Sequence, residues 1–180
     1  MERKDLVVPE QRVVISRKDD LLPLLGGKVF HVTTSQGYEK ILQTGALLPN
    51  TGEHRSPFGN SRNGYFRLRG CVSFFDYRRS GSPKWLEHYD KCLPTMPLNA
   101  ASPIVVLYLN EDEYGLLETW EGWKTDQLWS QRVVPHVEVG YPGPVELSRT
   151  HGHLLVTLSA AGNEDPLTEI AAAYLLDSSR

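Results

Sequence analysis

A seven-residue apolar segment in the middle of the chain constrains the fold more than any other feature. Residues 103–109, PIVVLYL, contain no charged side chain and show no alternation of polar with apolar positions. A strand with one face in water alternates, whereas a strand that is apolar throughout needs packed layers on both faces. The segment therefore predicts an interior strand of a sheet that is covered on both sides.

The remaining strand and helix patterns do not alternate strictly along the chain. Further short strands are predicted at 12–16, 28–33, 71–75, 133–139 and 153–158. Helices are predicted from a Thr34 or Ser35 cap to Gly45, over 84–92, in part of 111–131, and from Asp165 near the C-terminus. Strands outnumber helices, so we expect an α+β fold, a mixed and largely antiparallel sheet with peripheral helices. The length predicts one domain over residues 1–180.

Composition narrows the cellular setting and the chemistry. No run approaches the roughly 20 apolar residues of a membrane span, and the N-terminus lacks the apolar core of a signal peptide. Cys71 and Cys92 fit neither a metal-ligand spacing nor a disulfide framework, which favours a reducing cytoplasm. Zinc-type, Rossmann, P-loop and hydrolase motifs are absent from the sequence. We therefore expect a cytoplasmic protein with no membrane contact and no catalytic metal.

Arginine is concentrated in one window of a chain whose net charge is -3. Residues 55–79 contain six arginines, no lysine and a single acid, Asp76. The first part of this window lies in a stretch, 51–70, that is rich in Gly, Asn and Ser and predicts a long functional loop. Its guanidinium groups could hold a diphosphate while Ser73 or an aromatic ring lines the pocket. A solvated basic surface loop is the alternative interpretation.

Two further positions are candidates for chemistry. In the predicted strand 28–33, the alternation places His31 and Thr33 on one face, just before a helix N-terminus that could receive an anion. Glu138 falls within the predicted strand 133–139, and Glu146 is its rival as a functional carboxylate. Each of these residues has an ordinary structural interpretation, as a satisfied histidine or an exposed strand carboxylate.

The order of these features resembles the ADP-ribosyltransferase superfamily. The segment FHVTTSQGYEKILQTGALLPN, beginning at Phe30, precedes the arginine-rich loop, and GCVSFFDYRRSGSP and then a late glutamate follow it. The nearest pattern is the DarT-like group of nucleic-acid-modifying toxins, and the similarity covers roughly residues 28–83. This resemblance implies an ADP-ribosyltransferase-like fold with NAD as the substrate that supplies ADP-ribose.

The resemblance also implies roles for individual residues. Glu138 and His31 would be the catalytic residues, with Glu138 stabilising an oxocarbenium-like centre and orienting the 2′-hydroxyl. The remaining roles that the resemblance implies concern binding of NAD. His31 and Thr33 would hold the adenosine-side ribose, and Arg62 or Arg67 would bind the diphosphate. Phe74 or Tyr65 would stack on nicotinamide, beside the Ser73 already assigned to the pocket.

Three matters stay open at the level of sequence. The acceptor of ADP-ribose could be a protein or a nucleic acid, and a toxin of this kind would need a neutralising antitoxin partner. A non-catalytic module that binds nucleic acid or a partner through the Arg and aromatic loop 55–79 is a second hypothesis, and its affinity would fall steeply with salt. Transfer of a 2′-phosphate from RNA to NAD is a third.

Overall fold

The computed structural model describes residues 10–59 and 62–159, which contain eight strands, five short α-helices and four 3-10 helices. The strands are β1 Glu10–Ile15, β2 Val29–Thr34, β3 Ala46–Leu47, β4 Cys71–Asp76, β5 Ile104–Leu109, β6 Glu138–Pro142, β7 Val145–Glu146 and β8 Thr150–Leu158. The α-helices are α1 Leu22–Leu25, α2 Ser35–Thr44, α3 Tyr65–Leu68, α4 Pro83–Leu86 and α5 Glu121–Thr125. The predicted C-terminal helix at Asp165 lies outside the described residues.

Six of the strands form one sheet in the order β1-β8-β5-β2-β4-β6, and β3 pairs with β7 in a separate two-stranded sheet. β1 runs parallel to β8, and every other adjacent pair in the six-stranded sheet is antiparallel. The helices are short and lie outside the sheet order. The predicted α+β fold with a mixed, largely antiparallel sheet is therefore confirmed.

The sheet carries a hydrophobic core on each face. The first face, defined by Phe30 and Phe75, packs against side chains that include Leu21, Leu25 and Trp85. The second face carries Val29 and Phe74 and packs against residues that include Leu47, Val145 and Leu147. Strand β5 contributes to both cores, with Ile104 and Val106 on the first face and Val105 and Leu107 on the second. The predicted doubly covered strand is confirmed.

Helix α2 begins and ends where its capping residues predict. The Thr34 hydroxyl accepts a hydrogen bond from the Gly37 N–H at 3.1 Å, and Gly45 closes the helix with a left-handed φ of 74°. The start of the helix also lies very close to β2. A Cβ at position 37 would be 2.1 Å from the Thr33 hydroxyl oxygen, so only glycine fits there without rearrangement.

Two predicted elements differ from the structure. The predicted strand 133–139 is wrong over its first five residues, because residues 133–137 form a loop with a turn at 135–137 and β6 begins at Glu138. Pro135 has no N–H for a ladder, and His136 adopts a φ of 65°, which ends extended backbone. The predicted helix 84–92 is likewise broken into α4 and a 3-10 turn over Tyr89–Lys91.

Replacing Gly37 tests the contact between β2 and α2. We expect Gly37→Ala to destabilise the protein by about 1–3 kcal/mol, because the new methyl overlaps the Thr33 hydroxyl. In a Thr33→Ala background the same change should cost little or stabilise the protein, since alanine exceeds glycine in helix propensity by about 1 kcal/mol. Urea unfolding of the four proteins measures both steps. An equal cost of Gly37→Ala in the two backgrounds would contradict the contact.

Candidate active site

The six-stranded sheet opens between β2 and β4. These strands pair at two positions, of which Phe30–Phe75 is the inner one. Past that pair, β2 remains paired with β5 as far as Thr34, and β4 remains paired with β6 as far as Cys71. The C-terminal part of β2 and the N-terminal part of β4 therefore border a gap, called here the β2–β4 gap, where backbone groups need other partners.

The side chain of His31 supplies one such partner. Its Nδ1 lies 2.9 Å from the carbonyl oxygen of Ser73 on β4. A carbonyl oxygen only accepts hydrogen bonds, so Nδ1 must carry the proton. Burial lowers the pKa of the His31 imidazole, against the opposing effect of the Ser73 bond. The ring is therefore neutral at pH 7, and its Nε2 is left as an acceptor, suited to a hydroxyl group.

The other four residues predicted to line the NAD site near His31 differ in their exposure. Thr33 is buried with its hydroxyl against α2, and Ser73 is exposed within a strand whose neighbouring residues are buried. Phe74 is 1 % exposed in the second core, with its ring 5.7 Å from that of His31. Tyr65 is 2 % exposed and packs on Phe66. The stacking on nicotinamide predicted for these two rings finds no support, because both rings are covered by the protein.

Glu138 is the first residue of β6 and lies opposite Phe75, on the first face. Its carboxylate accepts a hydrogen bond from the backbone N–H of Val134, and its own N–H donates to the Val134 carbonyl at 3.0 Å. Burial raises the pKa of this carboxyl, while the Val134 bond opposes that effect. No cation is among the groups that shift it. Within the described residues, Glu138 is thus a partly buried carboxylate without an ion pair.

The register relates the two predicted catalytic residues. His31 follows Phe30 in β2 and points to the second face, whereas Glu138 points to the first face beside Phe75. Strand β4 lies between them. A ligand that lies flat on either face of the sheet therefore cannot contact both residues, and β6, which carries Glu138, does not border the β2–β4 gap. Glu146, the rival carboxylate, is exposed on β7 in the two-stranded sheet.

The arginine loop, residues 51–70, lines a cavity of about 450 Å³ that is open to solvent. Both predicted diphosphate ligands, Arg62 and Arg67, line this cavity, and no acidic side chain among the described residues does. The Nε of Arg67 donates to the Asn50 carbonyl at 2.9 Å, which fixes the guanidinium on the loop. The lining residues are Gly52, His54, Arg55, Ser56, Gly59, Arg62 and Arg67.

The arginine loop is attached to the segment that carries Glu138. Phe58 packs edge-on against Phe75, with ring centroids 5.5 Å apart. Arg132 donates its backbone N–H to the Asn63 carbonyl, and its own carbonyl accepts from the Tyr65 N–H, both at 2.8 Å. The basic cavity and the carboxylate are therefore built on connected parts of the chain. Such contacts over long sequence separation are invisible to sequence patterns.

Two of the six arginines serve the fold. Arg69 forms an ion pair with Glu118 at 2.6 Å, and Arg78 forms a two-pronged ion pair with Asp76. Spacing along the sequence could not separate these arginines from those that line the cavity.

The cluster that sequence reasoning missed is aromatic: the His136 ring lies 4.6 Å from Trp120 and stacks at 5.5 Å on His88.

Neither cysteine suits nucleophilic chemistry. Both thiols are free, and burial raises the pKa of Cys71 to about 11 and that of Cys92 to about 12. The thiolate that would be the nucleophile is therefore scarce at neutral pH.

In the described ranges there is no group of three or more His, Cys, Asp or Glu side chains that could hold a metal ion. No helix in these ranges is long and apolar enough to cross a membrane.

Comparison with known proteins identifies no relative. No family profile, no curated protein and no solved structure matches this chain. The candidate site is therefore defined by its own geometry: the β2–β4 gap, the neutral His31 imidazole, the Glu138 carboxylate and the basic cavity of the arginine loop.

The partial burial of the Glu138 carboxylate leads to a prediction about the stability of the protein. Because the folded-state pKa of Glu138 is raised, its contribution to stability is greatest below the ordinary glutamate pKa and is lost as pH rises through the folded-state value. Glu138→Gln keeps an oxygen that can accept from Val134 and removes the charge. We expect this variant to gain stability over the natural chain as pH rises from 4 to 8.

Thermal unfolding at several pH values measures this difference. Glu146→Gln, at an exposed position, is the matched control and should stay within about 0.5 kcal/mol of the natural chain throughout. A Glu138→Gln variant that is less stable than the natural chain at pH 8 would show that the charge is compensated, contrary to this description.

Proposed function

We propose that this protein is an ADP-ribosyltransferase that cleaves NAD and transfers ADP-ribose to a macromolecular acceptor. The observation that carries the proposal is Glu138: a partly buried carboxylate that is oriented by a backbone N–H and that has no cation beside it among the described residues. Such a group costs stability, and perturbed carboxylates of this kind cluster at functional sites. The resemblance of the sequence to the ADP-ribosyltransferase superfamily supplies the reaction class.

The proposed chemistry requires a carboxylate of this kind. When the bond between nicotinamide and the ribose C1′ breaks, its electron pair leaves with nicotinamide, which becomes neutral. The positive charge then spreads over C1′ and the ring oxygen of the ribose. A carboxylate held in place and shielded from water stabilises that charge more than water does. The acceptor atom attacks C1′ and releases its proton, which completes the transfer.

Other residues would bind the substrate. The neutral His31 offers Nε2 as an acceptor for a ribose hydroxyl, in keeping with its hydrogen bond to Ser73. Arg62 and Arg67 line a basic cavity, and guanidinium groups hold phosphates through paired hydrogen bonds. In this proposal a dinucleotide enters the β2–β4 gap and extends past β4 to reach Glu138, and such positioning lowers the barrier.

A second function is favoured by a different observation. Among the described residues, no acidic side chain lines the cavity of the arginine loop, and a basic cavity would suit binding of nucleic acid without any reaction. In that case Glu138 would have no part in function. Binding would weaken steeply with added salt, because each phosphate contact releases counterions.

The test is release of nicotinamide, measured by mass spectrometry with NAD alone and with cell extract or nucleic acid as acceptor. We expect release by the natural chain and a loss of on the order of a hundredfold or more in Glu138→Gln, because the charge that stabilises the oxocarbenium is gone. Glu146→Gln should retain full activity. The second function would be favoured if the protein neither releases nicotinamide nor binds NAD with any of these acceptors. It would then bind nucleic acid in a salt-sensitive way that Glu138→Gln does not change.

A further inference from the structure

Residues 134–138 form a small closed loop that ends at the proposed catalytic carboxylate. Val134 donates its N–H to the Glu138 side chain and accepts the Glu138 N–H on its carbonyl. The side chain and the backbone of Glu138 are thus both fixed to the same residue. Any displacement of the loop therefore moves the carboxylate.

His136 is at the middle of this loop and has an unusual backbone. Its φ of 65° lies in the left-handed region, which few residues other than glycine adopt. Its ring lies between two others, 4.6 Å from Trp120 and 5.5 Å from His88, with the two imidazoles 21° from parallel. The Nδ1 of His88 lies 2.8 Å from the Lys91 ammonium, which has only protons to donate, so that nitrogen is unprotonated.

Both neighbours of the His136 ring are anchored by residues outside the loop. On one side, Glu118 exchanges two backbone hydrogen bonds with Gly140 of β6, at 2.7 and 2.9 Å, and pairs with Arg69. These contacts fix the segment that carries Trp120. On the other side, His88 follows α4, and its N–H donates to the carbonyl of the buried Trp85. The ring is therefore held between two walls that belong to the body of the protein.

The identity of residue 136 follows from two requirements. The left-handed backbone favours Gly, Asn, Asp or His, and contact with both walls requires a ring. Histidine meets both, whereas glycine would fit the backbone alone. The ring contacts, rather than backbone strain, therefore account for a histidine here.

We propose that His136 is a positioning residue, whose ring between Trp120 and His88 fixes loop 134–138 and with it the Glu138 carboxylate for NAD cleavage. This inference rests on the proposed function. His136 acts through Glu138 and touches none of the reacting atoms in this account. Its removal should lower the rate of the chemical step and leave binding of NAD largely unchanged.

The test compares His136→Gly with Gln127→Gly. Gln127, at φ 54°, is the other non-glycine residue with positive φ among those the structure describes, so both variants make the same backbone change. Steady-state kinetics of NAD cleavage gives kcat and KM. Titration of ¹³C-labelled glutamate by NMR, with Glu138 assigned through Glu138→Gln, follows the carboxyl without requiring any activity.

We expect His136→Gly to lower kcat by on the order of tenfold or more, with KM within about twofold. Its Glu138 pKa should fall toward the ordinary value, because a looser loop admits water. Gln127→Gly should leave kcat and the Glu138 titration unchanged. Trp120→Leu removes one of the two rings that contact His136 and leaves the loop sequence unchanged, so it should lower kcat and the Glu138 pKa in the same way. If His136→Gly does not fold, Trp120→Leu takes its place in the test.

The outcomes separate this inference from the proposed function. Unchanged kcat and unchanged Glu138 titration in both His136→Gly and Trp120→Leu would overturn the positioning role while NAD cleavage stands. If the natural chain cleaves no NAD, the proposed reaction is excluded. A Glu138 titration that shifts in His136→Gly and not in Gln127→Gly would then still support control of the carboxylate by the His136 ring.

Discussion

The pairing of Phe30 with Phe75 is the contact on which the rest of the site depends. These rings stack in the first core at 5.4 Å, and Tyr77 packs edge-on against both. On one side of this pair the sheet is closed, and on the other side β2 and β4 separate. The aromatic cluster therefore marks where the β2–β4 gap begins. His31 directly follows Phe30 in β2, and Glu138 lies opposite Phe75.

Two of the candidate groups are held in states that cost stability. Glu138 is withdrawn from water with no cation beside it among the described residues, and His136 has a left-handed backbone. A glutamine at position 138 would avoid the first cost, whereas the ring contacts of His136 with Trp120 and His88 account for a histidine at the second position. Both residues lie in loop 134–138, and such costs are expected where ligand binding or reaction requires them.

Local patterns predicted the elements of the fold, but the geometry of the site arises from long-range register. The double burial of β5, the Thr34 cap and the Gly45 terminus could each be predicted from a few neighbouring residues. The separation of β2 from β4 could not, because no residue of either strand marks it. The loop at 133–137 was missed because its valines mimic a strand, although Pro135 argued against one.

The identity of the candidate side chains could likewise be predicted from the sequence, whereas their burial and relative position could not. Residue type and spacing pointed to His31, Glu138 and the arginine loop. They could not show that Phe74 and Tyr65 are buried, since aromatic residues serve cores and binding sites equally well. Nor could they show that His31 and Glu138 lie on opposite faces, because that depends on the position of β4 between their strands.

A crystal structure with a non-cleavable NAD analogue would locate the proposed substrate site. We expect the analogue to lie in the β2–β4 gap beyond the Phe30–Phe75 pair. A ribose hydroxyl should then donate to Nε2 of His31, and the C1′ that bears nicotinamide should face Glu138. An analogue bound away from the gap, or β2 and β4 paired along their whole length, would contradict this expectation.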